Sequence, residues 1–289
     1  VGDIYHHLPG RTISQQDNAW FTLLTMNTHP LHFDEEYAAE TEFGRPLVAS
    51  PLTVAVVVGM SVSLAMGVVG LDALYQMSHC GSDLLGEIPL SRWDLSRSSE
   101  LGDCPPEVAS RERHGGFMRD MELFENSFFS ISAAEASAMD PQQRQLLERG
   151  YKALHAAGMT KGSIGGTGIA VNVGQWASEF GSVLLRTPAG RSVYASTGFS
   201  CSVTCGRVSF ALGLHGPCAS FDTACSASLV ANHGSLRALQ LRECETALSA
   251  GVNMIVDPGA MAGNAAAGFT SARGRSIRRR SRWKATRRP

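Results

Sequence analysis

The chain has little of what would place it outside a cell. Its seven cysteines are too few and too irregularly spaced for a secreted disulfide framework, and no Cys-x-x-Cys pair is present to begin a zinc site. No metal is therefore expected, and a reducing, cytoplasmic setting is. The chain opens on Val1 with no charged-then-apolar leader, so no signal or transit peptide is visible and the true amino terminus is read as absent. Internal repeats and long low-complexity segments are missing. One uncharged run, 46–71, is long enough to suggest a membrane span, but its serines and its Gly59, Gly67 and Gly70 leave it only moderately apolar, and a span is not expected. Acidic residues are absent from 273–289, which hold nine Arg or Lys; the preceding 272 residues carry 16 basic against 26 acidic groups. The basic charge thus sits almost wholly in the tail. What remains, 44% hydrophobic and 18% charged, suffices for a buried core in one or two domains.

Among the residues present, Cys225 carries the most chemistry. An apolar lead-in of Cys218, Ala219 and Phe221 predicts a short buried strand. Ser228 to Leu241 predicts a helix with Leu229, Val230, Leu236 and Leu239 along one side. The cysteine then lies at a strand-to-helix turn, where the unpaired N–H groups and positive dipole end of the helix favour thiolate over thiol. A nucleophile is the natural reading; a merely buried thiol is the bland one.

The segment Asp222-Thr223-Ala224-Cys225-Ser226-Ala227-Ser228, followed by Leu229-Val230-Ala231, resembles the active-site signature of β-ketoacyl synthases of the polyketide and fatty-acid type. The likeness begins near Leu74-Tyr75-Gln76-Met77. It runs through Gly86 to Asp94, Phe124 to Phe129, Met139-Asp140-Pro141-Gln142-Gln143-Arg144, Gly206-Arg207-Val208-Ser209-Phe210 and Ala250-Gly251-Val252-Asn253, in family order. The resemblance implies an α/β fold: a thiolase-like ketosynthase half-domain over 72–275. It further implies that Cys225 takes an acyl group from a carrier-protein thioester, with its own backbone N–H as one oxyanion donor, before a decarboxylated extender attacks the acyl-cysteine. Substrates would arrive as phosphopantetheine or CoA thioesters, with no covalently bound cofactor. Expected partners are an acyl carrier protein, other synthase domains and a second copy of the chain, and neither nucleic acid nor membrane.

Two histidines assist decarboxylation in that family, both well downstream of the cysteine. After Cys225 this chain holds only His233, about 12 Å further along the same predicted helix. His233 and Asn232 read as helix surface, so complete condensation is not expected of this chain. Residues 276–289 leave the family pattern after Arg275. They read as an arm for nucleic acid or an acidic carrier protein, or, preferred here, as a frameshift or gene-model artefact.

Residues 1–71 resemble a different family. Gly10-Arg11-Thr12-Ile13-Ser14 and Asn27-Thr28-His29-Pro30-Leu31-His32-Phe33-Asp34 are similar to MaoC-like enoyl-CoA hydratases, nearest the mesaconyl-CoA hydratase type. An incomplete hot-dog (α+β) segment is implied. His32 matches the family's histidine, but Asn27 stands where its aspartate is usual, and an amide cannot act as a carboxylate base. His32 and Asn27 therefore read as a vestigial hydratase site, or His32 as structural. Three functional readings stay open: a ketosynthase acyltransferase, an enoyl-CoA hydratase fragment, and an inactive half-domain that only binds synthase partners.

Local signals add elements. Ser132 with Glu135 has capping-box spacing. Asp140-Pro141 opens a helix whose stripe Leu147, Tyr151 and Leu154 ends at Gly158. Gly165 to Gly174 lacks a following Lys-Ser/Thr and predicts an apolar strand instead of a phosphate loop. Pro105-Pro106 and the mixed-charge stretch to Arg113 predict a surface loop.

Overall fold

The computed structural model describes residues 39–40, 59–94 and 105–275. His32, Asn27 and the basic tail at 276–289 lie outside the described residues. In chain order the elements are α1 (Leu71–His79), β1 (Gly86–Glu87), α2 (Pro106–Arg111), β2 (His114–Gly115), α3 (Ala133–Ala138) and α4 (Pro141–Ala156). There follow α5 (Lys161–Ile164), β3 (Ala170–Gln175), α6 (Phe180–Leu184), α7 (Ala195–Gly198), α8 (Cys201–Leu212), β4 (Cys218–Phe221), α9 (Ala227–Gln240), β5 (Ala247–Val252) and α10 (Pro258–Ala266). Two units form, one containing 121–253 and the other 63–120 with the segment from Met254 onward. No helix among the described residues is long and apolar enough to cross a membrane.

The first unit is built on a parallel sheet in the order β4-β3-β5, with Val171 opposite Cys218 and Leu248, and Gly174 opposite Phe221 and Gly251. All six residues of β3 are buried, as a central parallel strand covered on both faces must be. Alternation sorts them. Val171 and Val173 join Leu146, Leu147 and Leu154 of α4 and Val208 and Leu212 of α8 in one apolar cluster. Ala170, Asn172 and Gly174 face α9, where Asn172 donates to Ser235 Oγ at 3.0 Å and Ala170 packs with Ala238. The chain moves one way across the sheet from β3 to β4 and the other way from β4 to β5. Right-handed crossovers therefore set α8 and α9 on opposite faces.

Helix starts follow their caps. Ser132 Oγ accepts from the Glu135 N–H at 3.1 Å. The reciprocal half of the expected capping box is replaced: the Glu135 carboxylate is held by Arg207 of α8 at 2.5 Å. Asp140 caps α4 by accepting from the Gln142 N–H at 2.7 Å, with Pro141 at the first helical position. The apolar strand expected within the phosphate-loop look-alike is β3, Ala170–Gln175, which the first glycines precede. Two expectations fail. Residues 106–111 form helix α2 and not a loop, because Pro105 at the cap and Pro106 at the first position suit a helix start as well as a turn. The strand β4 is not buried: Cys218 is exposed and the other three residues are half-buried, since β4 is an edge of the three-stranded sheet.

The second unit pairs β1 with β2 antiparallel, Gly86 opposite Gly115. Its small core is Ile88, Phe117 and Met261, with Trp93 and Ile255 against it. Arg92 donates to Met118 O at 2.8 Å, which fastens the 86–94 segment.

Candidate active site

The loops leaving β3 and β4 diverge to opposite faces of the sheet, and in open α/β sheets such a divergence at the carboxyl ends of the strands is where ligands bind. Cys225 follows β4 at that end. After β4 the chain passes Asp222 and Thr223, makes a 3-10 turn at Ala224–Ser226, and enters α9 at Ala227. The cysteine is exposed and free, one residue before the helix cap. The strand-to-helix placement is thus as the sequence implies, with the helix one residue earlier at each end.

Three features shape this turn. Ala224 holds a left-handed conformation, φ +53°, which non-glycine residues adopt only where the surroundings impose it. The Asp222 carboxylate accepts from the Ala224 N–H at 3.2 Å. Ser226 occupies the cap position of α9 but does not cap it: its hydroxyl donates to Thr223 O at 2.9 Å and lies 2.9 Å from Thr223 Oγ1. The first-turn N–H groups of a 14-residue helix are left without a side-chain cap beside the thiol.

The floor under the turn is backbone. A Cβ on Gly174 of β3 would fall 2.5 Å from the Ala227 carbonyl oxygen, and one on Gly251 of β5 would meet the Ser228 side chain. At Gly174 the sheet therefore meets the backbone of the first turn of α9 directly, and at Gly251 only the small Ser228 side chain lies between them. For the same reason α9 does not bury the stripe expected of it. It buries Ala227, Ala231, Ser235 and Ala238, and Leu229 is 52% exposed. Asn232 and His233 are exposed, as expected, and His233 lies six residues beyond the start of α9, roughly 9 Å along its axis from the end that follows Cys225.

Against the loop that leaves β3 lies a polar network that the sequence did not announce. Asp140 is fully buried and accepts from Ser178 Oγ at 2.5 Å and from Gln142 Nε2 at 3.2 Å. Gln142 and Gln175 both donate to Ala177 O at 3.3 Å, and Thr204 of α8 donates to Gln175 Oε1 at 2.8 Å. Polar residues in the first turn of a helix ordinarily read as solvated, and only the length of the apolar stripe that follows hints that α4 is buried from its start.

Burial pushes the Asp140 carboxyl above its ordinary value of 3.8, against the opposing hydrogen bonds of Ser178 and Gln142 and the charge of Arg144. The folded state therefore binds this proton more tightly than the unfolded state. That contribution to stability is fully present below 3.8 and is lost as pH rises through the raised value. Asp140→Asn cannot titrate. In urea titrations at several pH values from 3 to 8, the stability of the natural chain relative to Asp140→Asn is expected to fall as pH rises; a difference independent of pH refutes the buried-carboxyl account.

Three other thiols are raised: desolvation raises Cys201, aided by the Asp222 charge; partial desolvation and the neighbouring Cys205 raise Cys218, although that residue is exposed; and desolvation raises Cys244. All three are held in the protonated, weakly nucleophilic form at neutral pH.

Comparison with known proteins places this geometry. The β-ketoacyl synthase N-terminal domain matches residues 53–283, and the MaoC-like domain matches residues 1–80. The chain is 38% identical over 231 residues to a phenolphthiocerol/phthiocerol polyketide synthase of Mycobacterium tuberculosis, covering 80% of this chain and 15% of that one. It is also 38% identical over 251 residues to the polyketide synthase GfsB of Streptomyces halstedii, covering 83% of this chain and 4% of that one. It thus spans a small part of these relatives. Among solved structures, it resembles the oxazolomycin ketosynthase domain OzmH KS7 of Streptomyces albus JA3453 with a TM-score of 0.66 at 28% identity, over 76% of this chain and 38% of that one. It resembles the ketosynthase from module 6 of the bacillaene synthase of Bacillus subtilis 168 with a TM-score of 0.63 at 29% identity, over 75% and 35%. The α/β, thiolase-like expectation holds.

Proposed function

The chain belongs to the β-ketoacyl synthase family, and from that premise we propose that it carries the acyl-capture half of a polyketide-type ketosynthase, with Cys225 as the nucleophile. The observation that supports this reading is the exposed Cys225 beside the amino end of α9, which has no side-chain cap. In the reaction, the thiolate attacks the carbonyl carbon of an acyl thioester, the backbone N–H of Cys225 serves as one donor to the oxyanion, and the carrier thiol leaves with a proton. The acyl group then rests on Cys225. Condensation needs the two histidines that the family carries downstream, and after Cys225 these residues include only His233. Full condensation is not expected of this polypeptide by itself.

The acyl donors in this proposal are phosphopantetheine or CoA thioesters, and the partners are an acyl carrier protein, other synthase domains and a second copy of the chain. A cytoplasmic setting belongs to the same proposal, supported by the cysteine pattern. We divide the chain at 1–71, 72–275 and 276–289, as hydratase-like segment, ketosynthase half-domain and tail. The match of the MaoC-like domain to 1–80 supports a second reading, an enoyl-CoA hydratase fragment around His32 and Asn27. Hydration of crotonyl-CoA tests it: no turnover removes that reading.

Alkylation separates the acyltransferase from an inactive scaffold. With limiting iodoacetamide at neutral pH, Cys225 is expected to label about tenfold faster than in the urea-unfolded chain, a factor corresponding to an activated thiol. Labelling no faster than in the unfolded control defeats the nucleophile assignment.

A further inference from the structure

We infer that Asp222 is a positioning residue for Cys225, holding its turn in register with the loop that leaves β3. The inference rests on the reading of Cys225 as nucleophile. One carboxylate bridges the two exit loops: Oδ1 accepts from the Ala224 N–H at 3.2 Å, and Oδ2 accepts from the Ala177 N–H at 3.5 Å. Both partners are non-glycine residues in the left-handed region, Ala224 at φ +53° and Ala177 at φ +47°. Such residues relax to ordinary backbone unless something fixes them.

The bridge is anchored on its far side. Ala177 O accepts from the side chains of Gln142 and Gln175, each 1% exposed, and Gln142 also reaches Asp140. The position of the Cys225 turn is thereby referred to a buried network on α4 and β3, and not only to its own strand. A carboxylate suits the task because it is acceptor-only at both oxygens. An asparagine can accept from Ala224 but would set a donor against the Ala177 N–H.

Charge and position predict opposite outcomes. A carboxylate three residues from a thiol disfavours thiolate by repulsion, so a residue acting through charge alone would speed alkylation of Cys225 when neutralised. A positioning residue would slow it.

The experiment is iodoacetamide alkylation of the full chain, resolved cysteine by cysteine by mass spectrometry, for the natural chain, Asp222→Asn and Asp222→Ala. Cys80, exposed, serves as the reference thiol, and Cys205 and Cys244, buried, report the fold. The rate at Cys225 relative to Cys80 is expected to fall about threefold in Asp222→Asn and about tenfold in Asp222→Ala, with Cys205 and Cys244 still protected. If Asp222→Ala exposes the buried pair, Asp222→Asn alone decides. An Asp222→Asn rate equal to or above that of the natural chain overturns the positioning role, as does loss of protection at Cys205 and Cys244 in that variant. A natural chain whose Cys225 labels no faster than when unfolded overturns the nucleophile reading, and the positioning role with it.

Discussion

Replacing Cys225 by alanine is expected to lower acyl capture from a thioester donor by on the order of 10³-fold or more, since it removes the attacking atom of the proposed reaction. Among the other described cysteines, desolvation raises the thiols of Cys201, Cys218 and Cys244, Cys205 is buried, and Cys80 is left as an exposed thiol. The side chain is exposed, so its truncation should alter stability by no more than about 0.5 kcal/mol. Activity and fold are therefore separable at this residue. Intact-mass analysis after incubation with a short acyl-CoA should show one acyl adduct on the natural chain and none on Cys225→Ala. Cys225→Ser keeps a hydroxyl that needs a base to attack, so its loss should approach that of alanine. An adduct forming at an undiminished rate on Cys225→Ala would move the chemistry elsewhere in the chain.

The turn that presents Cys225 was legible because strand, special residue and helix leave marks in sequence order. The Asp-Thr-Ala-Cys segment also carries a family signature that pattern alone could not supply. The packing of α9 was not legible. Its leucines suggested a buried stripe, but Gly174 and Gly251 let the helix backbone approach the sheet so closely that only small residues fit beneath it. Alanine and serine became the buried face, and Leu229 faces outward. Hydrophobicity predicts which face is buried only when the opposing surface has room for large side chains. The buried glutamines escaped for a related reason. Gln142, Gln143 and Gln175 are each 1% exposed, with backbone carbonyls at Ala177, Thr197 and Ser200 receiving their amide protons, and those partners lie 2 to 57 residues away. Asp222 was visible as part of the signature, but its second hydrogen bond, to Ala177 45 residues earlier, depends on β3 and β4 being neighbours.

The close approach of α9 to the sheet makes Gly174 the position where the smallest change should have the largest structural effect. A Cβ there lies on the carbonyl group of Ala227 and the amide nitrogen of Ser228, at the first turn of the helix. Backbone cannot rotate aside as a side chain can, so either β3 or the start of α9 must move. Gly174→Ala is expected to destabilise the unit by about 3 kcal/mol, the upper part of the range for overpacking. In a unit of this size that lowers the unfolding midpoint by roughly 10 °C. Gly251→Ala provides the comparison. Its added carbon meets the Ser228 hydroxyl, which can rotate, and Ser228 Cβ at 2.7 Å, so a smaller loss of about 1 to 2 kcal/mol is expected. Because the displaced turn directly follows Cys225, Gly174→Ala should also slow Cys225 alkylation under conditions where Cys205 and Cys244 remain protected. Thermal and urea unfolding rank the two variants. A loss below about 1 kcal/mol for Gly174→Ala, with alkylation unchanged, would mean that the sheet does not set the height of α9, and that the Cys225 turn is held by its own loop alone.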